Sequence, residues 1–133
     1  ILGGIENKKI AVFGLTFKAN TDDIRSSPAI EIIKILIAEK ADVHAYDPMG
    51  VPNTAELGLN ITLHSNNFDA AEGAHALLIL TEWDEFKKID YKYLLDKMSG
   101  KIIFDYRNIL DPVTIRESGF EIYQLGKVLS KSI

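Results

Sequence analysis

The stretch "KIAVFGLTFKANTDDIRSSPAIEIIKILIA", Lys9 to Ala38, decides how the chain folds. Its first six residues are a β-branched-rich apolar run closed by Gly14, the pattern of a short buried strand over residues 9–14. Ser27 offers an N-cap oxygen and Pro28 suits the first helical position. Ile30, Ile33 and Ile37 then recur at helical spacing, with Ile32, Ile35 and Leu36 widening the stripe, so the pattern predicts a helix over 28–39. Strand, loop and helix in this order resemble the opening turn of a dinucleotide-binding unit. The loop does not. G-x-G-x-x-G lets backbone approach a pyrophosphate, and here its positions hold Gly14, Thr16 and Ala19. The connection to Pro28 is also too long for that tight turn, which excludes a self-contained NAD site.

Working outward, "ADVHAYDP" predicts a second strand stopped by Asp47-Pro48, and "ITLH" a short third one. "NFDAAEGA" reads as a short capped helix, and "HALLILT" as a strand covered on both faces. "YKYLLDKM" is helical with Gly100 near its end, and "KIIFDYR" is the next buried strand. "DPVTIRES" gives a helical turn or two, and "FEIYQLG" a last strand; "VPNTAELGLN" and the tail "KVLSKSI" have no decisive pattern. Alternating strands and helices imply right-handed crossovers and an α/β, Rossmann-like three-layer sandwich with a mainly parallel sheet. Ligands of such sheets bind beyond the carboxyl ends of the strands. Three charged clusters are expected there: Lys18 to Arg25, Thr81 to Glu85, and Asp105 to Asn108.

At 133 residues the chain is one domain's worth, with no internal repeat or internal boundary. Its formal net charge of −4 argues against nucleic acid or an anionic membrane as main partner, since both need a basic face. No apolar run approaches the ~20 residues of a membrane helix. Cys is absent, which removes disulfides, thiolate metal sites and a cysteine nucleophile and fits a reducing cytoplasm. The opening "ILGGIENKK" has neither an initiator Met nor signal-peptide architecture. Residues 1–8 are therefore expected to be a linker remnant from a longer chain, and 9–133 the domain proper.

The loop after the first strand supplies point charges. Lys18 is a compact ammonium suited to phosphate, and Arg25 a planar fork suited to phosphate, carboxylate or a local ion pair. Asp22 and Asp23 read as groups that tie the loop together. Arg107, beyond "KIIFD", falls at the same edge and, opposite Lys18, would complete a cationic clamp on a diphosphate. Asp47 resembles a ribose-binding acid by position, but Pro48 favours a turn or cap role. Asp105 and Asn108 read as turn and cap groups. His44, His64 and His75 have no metal-ligand spacing, so no metal site is expected. "TEWDEF" puts Trp83 among carboxylates after a buried strand; a general acid/base pair is one reading, and a structural loop anchored by Trp83 and Phe86 the favoured one. No catalytic constellation is complete within the chain.

"KKIAVFGLTFKANTDDIRSSPAIEII", "ADVHAYDP", "LTEWDEF" and "IIFDYRNILD" occur in an order and form that closely resemble the C-terminal domain of the UDP-glucose/GDP-mannose dehydrogenase family. The similarity runs from about Lys8 to the closing strand. "TEWDEF" is most similar to the UDP-glucose 6-dehydrogenase branch. A GDP-mannose or UDP-N-acetylhexosamine dehydrogenase and a non-catalytic interaction module are the alternatives.

The resemblance implies an NAD-dependent enzyme that oxidises a sugar's C6 alcohol twice to give a uronic acid. An N-terminal dehydrogenase domain of the same chain would carry most of the NAD site and the catalytic cysteine, and the complete enzyme would be a homodimer. This segment alone would be inactive. By position in the family's motifs, Phe17 and Lys18 would contact the UDP-sugar, Arg25 would reach the NAD, and Arg107 would be a further nucleotide-sugar contact. Two departures stand out. Tyr106 occupies a position usually held by Gly, so backbone geometry beside Arg107 is expected to differ. Lys40 stands where a helix-ending Gly is common.

Overall fold

A computed structural model of the chain describes residues 4–15, 28–48 and 60–124. The sheet starts from β1 (Lys9–Phe13), whose last four residues are buried. Its neighbours are β2 (Asp42–Tyr46) and β4 (Ala76–Ile79), both parallel to it, with Ala11 opposite His44 on one side and Leu77 on the other. The two-residue β3 (Thr62–Leu63) flanks β2, while β5 (Ile102–Asp105) and β6 (Glu121–Gln124) extend the other wing. The order is β3-β2-β1-β4-β5-β6, all parallel. This is the order of the dinucleotide-binding fold, with the direction of winding reversed between β1 and β4.

Reversal of direction puts right-handed crossovers on opposite faces. On one face α1 (Pro28–Ala38) lays Ala29, Ile30 and Ile33 on Ile10, Val12, Val43 and Leu78. On the other, α2 (Asn67–Ala71), α3 (Asp84–Lys87), α4 (Tyr91–Lys97) and α5 (Pro112–Glu117) cover Ala11, Phe13, Leu77, Ile79, Ile103 and Ile122. Burying one such Phe or Ile contributes roughly 1.5–3 kcal/mol. Side-chain oxygens cap three of these short helices, Asn66 accepting from Asp69 N, Asp90 from Tyr93 N and Asp111 from Val113 N.

The strands and long helix fall where the sequence pattern puts them, within a residue or two. Three details differ. Ile35 belongs to the expected stripe of α1 but points to solvent, 63% exposed, because the buried face is narrower than the run of isoleucines. Residues Asp84–Lys87 form a helical turn where a loop was expected, although Trp83 and Phe86 do anchor it. Gly100 does not end α4, which closes at Met98 in an extended conformation. It is glycine because a Cβ there would sit 2.0 Å from the His75 carbonyl oxygen. The expected N-cap Ser27 and the undecided runs around "VPNTAELG" and "KVLSKSI" lie outside the described residues.

Lys40 ends α1 in the left-handed region at φ 65°. Its N–H donates to Ile37 O, and that of Ala41 to Leu36 O, the paired bonds of a Schellman stop. The only charge contact given for its side chain among the described residues is an exposed ion pair with Glu6 at 3.7 Å, worth little. A left-handed Lys costs about 1 kcal/mol or more relative to glycine. Lys40→Gly is therefore expected to raise unfolding stability by about 0.5–1 kcal/mol, read as a higher urea midpoint at unchanged slope.

Candidate functional site

At the carboxyl edge, β1 leaves the sheet through Gly14, whose φ of 100° is unfavourable for a side chain. A Cβ there would also meet Thr81 Oγ1 at 2.2 Å and Thr81 N at 2.8 Å. The exits of β1 and β4 thus touch backbone to side chain at the point where the sheet's winding reverses. Gly14 N donates to Tyr46 O, and Leu15 N donates to Asp47 Oδ2 at 2.7 Å. Asp47 is 2% exposed and fastens the start of the loop, which is the cap role its Pro48 neighbour suggested. With that carboxylate buried on a backbone amide and only one glycine at the turn, the described rim does not fit NAD as a self-contained site.

The exit of β5 is organised by a second buried carboxylate. Asp105, 1% exposed, accepts from Arg107 N at 3.2 Å through Oδ1. Its Oδ2 accepts from Leu110 N at 2.9 Å and Gln124 Nε2 at 3.0 Å. Residues 105–110 are folded around it, with Asn108 left-handed at φ 56°. The left-handed residue is therefore Asn108; Tyr106 keeps an ordinary backbone, donates its N–H to Ile79 O and turns its ring outward. The turn presents Arg107 at the rim, where Nη2 donates to Glu82 Oε1 at 3.2 Å across the β4–β5 mouth.

Glu82 belongs to "TEWDEF", whose other polar groups are also engaged or enclosed. Glu85 accepts from the Tyr46 hydroxyl. Burial, then that hydrogen bond and the charges of Glu85 and Asp47, push the Tyr46 phenol above the ordinary tyrosine range, so it stays protonated. Asp84 pairs with Lys87 at 3.4 Å. Thr81 Oγ1 and Trp83 Nε1 are buried with no hydrogen-bond partner among the described residues, an unusual cost at a strand end. A separate hollow of about 510 Å³ lies between the start of α4 and α5, lined by Ile89, Asp90, Lys92, Ile109 and Thr114 among others. Arg107 and Glu82 do not line it.

Of the residues singled out from sequence, Arg107 stands at the rim, and Phe17, Lys18 and Arg25 lie outside the described residues. Of the three charged clusters, the second and third do converge on adjacent strand exits. Glu82 falls in the second cluster, but its pairing with Arg107 was not read; an acid three residues past one buried strand, beside an arginine two past the next, is the available signal. Among the described residues no group of three or more His, Asp or Glu side chains could hold a metal ion, and no helix is long and apolar enough to cross a membrane.

The histidines instead pair with each other. His44 Nε2 faces Asp42 Oδ2 at 3.1 Å, and His44 Nδ1 faces His64 Nε2 at 2.8 Å, with the rings stacked. In the neutral tautomer whose Nε2–H donates to Asp42, His44 Nδ1 accepts from His64. Burial, His44 and Lys9 lower the His64 pKa, against a smaller opposing effect of Asp69.

A parallel sheet in this strand order, with charged side chains at its carboxyl edge and a single glycine after β1, defines a Rossmann-like domain. A family model described as the UDP binding domain of the UDP-glucose/GDP-mannose dehydrogenases matches residues 11–112. The chain belongs to that family. It is 42% identical over 127 residues to the UDP-glucose 6-dehydrogenase of Rickettsia conorii, which covers 93% of this chain and 29% of that protein. Among solved structures it resembles a UDP-glucose dehydrogenase from Pyrobaculum islandicum (TM-score 0.73, 30% identity, 92% of this chain and 26% of that one). It also resembles a UDP-D-ManNAc dehydrogenase from Pyrococcus horikoshii (TM-score 0.74, 32% identity, 92% and 26%). The chain thus spans about 29% of the length of the first curated relative.

Two outcomes follow from this geometry. Asp105→Ala strands two backbone donors and takes one of two acceptors from the Gln124 amide, which keeps Leu110 O, and is expected to cost about 2–4 kcal/mol in urea unfolding, far beyond an ordinary surface change. Between the lowered His64 pKa and the ordinary value, the unfolded chain binds the extra proton. Stability contributed here is full above pH 6.5 and declines as pH falls below it. Melting temperatures from pH 7.5 to 5 should fall less steeply in His64→Gln, which keeps a donor toward His44.

Proposed function

We propose that this chain is the UDP-sugar-binding domain of an NAD-dependent UDP-glucose 6-dehydrogenase, which converts UDP-glucose to UDP-glucuronate by two successive oxidations at C6. Residues 9–133 are the binding domain and 1–8 the connection to a preceding dehydrogenase domain, which would supply the catalytic cysteine. The observation that carries this reading is the placement of Arg107. Buried Asp105 holds its backbone, and its guanidinium stands half-exposed at the rim of a sheet whose family is defined by UDP binding.

In this reading Arg107 and Lys18 hold the diphosphate and Phe17 contacts the nucleotide sugar. The phosphate grip fixes the position of a sugar carbon that reacts in the other domain. NAD is the hydride acceptor such an oxidation requires, and the single-glycine turn and engaged Asp47 support its being held mainly elsewhere. Arg25 would reach across to it. In the complete enzyme, a homodimer, the chain's own chemistry is binding and orientation.

The test is steady-state kinetics of the complete dehydrogenase. Lys18→Ala and Arg107→Ala should each raise KM for UDP-glucose about ten- to hundredfold, the worth of a charge-assisted hydrogen bond, with a smaller change in kcat. Unchanged KM in both variants overturns the assignment. Arg25→Ala should weaken NAD rather than the sugar nucleotide. Faster turnover of GDP-mannose or a UDP-N-acetylhexosamine than of UDP-glucose would move the chain to a sister activity.

A further inference from the structure

The carboxylates at the rim are not equivalent. Asp105 is held by two backbone amides and Gln124, Glu85 by the Tyr46 hydroxyl, and Asp84 by Lys87. Each of those three has a donor belonging to the fold. Glu82 differs, because its partner is Arg107, the cation on which the binding site depends.

The contact is also built to be exchanged. It is a single bond, Nη2 to Oε1 at 3.2 Å, and no other acceptor for the guanidinium is found among the described residues. A phosphate can take two N–H groups of the planar fork at once, whereas Glu82 takes one. The two side chains are 35% and 45% exposed, so solvent and ligand both reach the pair. Yet Glu82 cannot drift away. Its neighbours Thr81 and Trp83 are buried at 0% and 9% exposure, pinning the backbone beside the mouth.

We propose that Glu82 is the resident counter-ion of Arg107, an internal competitor that occupies the guanidinium until a phosphoryl group of the nucleotide displaces it. The proposal rests on the UDP-sugar reading of Arg107 given above. It assigns Glu82 a role in affinity rather than in folding. Exchange of one anion for another at Arg107 weakens the grip and speeds release of a nucleotide that the domain must hold only transiently.

The test is titration of UDP into the complete dehydrogenase, followed by calorimetry. Glu82→Gln is nearly isosteric, and far-UV circular dichroism checks that it is folded. It removes the competing charge and should bind UDP about two- to fivefold more tightly, the range expected for release from an exposed ion pair. The gain should shrink in high salt and vanish in the Arg107→Ala background. Unchanged or weaker binding by Glu82→Gln, or an equal gain without Arg107, overturns the proposal. If Arg107→Ala binds UDP as tightly as the wild type, the Arg107 assignment falls, and Glu82's role with it. That outcome is distinct from Glu82 failing alone.

Discussion

A strand in a parallel sheet ends with backbone amides that its neighbours cannot fully satisfy, and buried N–H groups must find acceptors. Two aspartates answer that demand here. Asp47, at the end of β2, takes Leu15 N as the chain leaves β1; Asp105, at the end of β5, takes Arg107 N and Leu110 N as it leaves β5. Each lies at the carboxyl edge and is almost fully buried. By taking these amides they fix how the chain leaves β1 and how the turn after β5 presents Arg107 to solvent. Stability and site are joined at these two residues.

The rim shows how a shared architecture is turned to a different recognition chemistry. The strand order is that of dinucleotide-binding domains. The single glycine after β1, however, serves the approach of Thr81 across the β1–β4 crevice, and the acid after β2 is consumed internally. In place of a glycine cradle the described rim offers charged side chains such as Arg107, and membership of a UDP-binding family fits that difference. Recognition by side chains can be tuned by a neighbour like Glu82, whereas recognition by backbone cannot.

Hydrophobic periodicity made most of the fold legible before any coordinates. The strands at 9–13, 42–46, 76–79 and 102–105 and the helix at 28–38 are all long enough for their pattern to dominate. What escaped was short or non-local. The turn Asp84–Lys87 has too few residues for a period to show, and the place of Gly100 depends on a carbonyl contributed by His75. Ile35 shows that apolar residues on a helix outnumber the places available beneath it. At the rim, the convergence of Glu82 and Arg107 was implicit in strand order, but their pairing depends on β4–β5 register, which composition does not encode. Lys40 was legible for the opposite reason: a helix stop is a local event, and its residue type alone signals strain.

β1 comes before every other strand among the described residues and yet lies in the middle of the sheet. Ile10 is opposite both Val43 and Ala76. As the polypeptide emerges from a ribosome, this buried strand therefore has one flank to pair with early and must wait for the other until Ala76–Ile79 has been made. The late partner is a long-range one, and closing that loop carries the entropy cost that slows folding of such topologies. During that interval a greasy, half-paired ribbon is open to solvent and to other chains, a vulnerability that comes from the order of the strands rather than from any one residue.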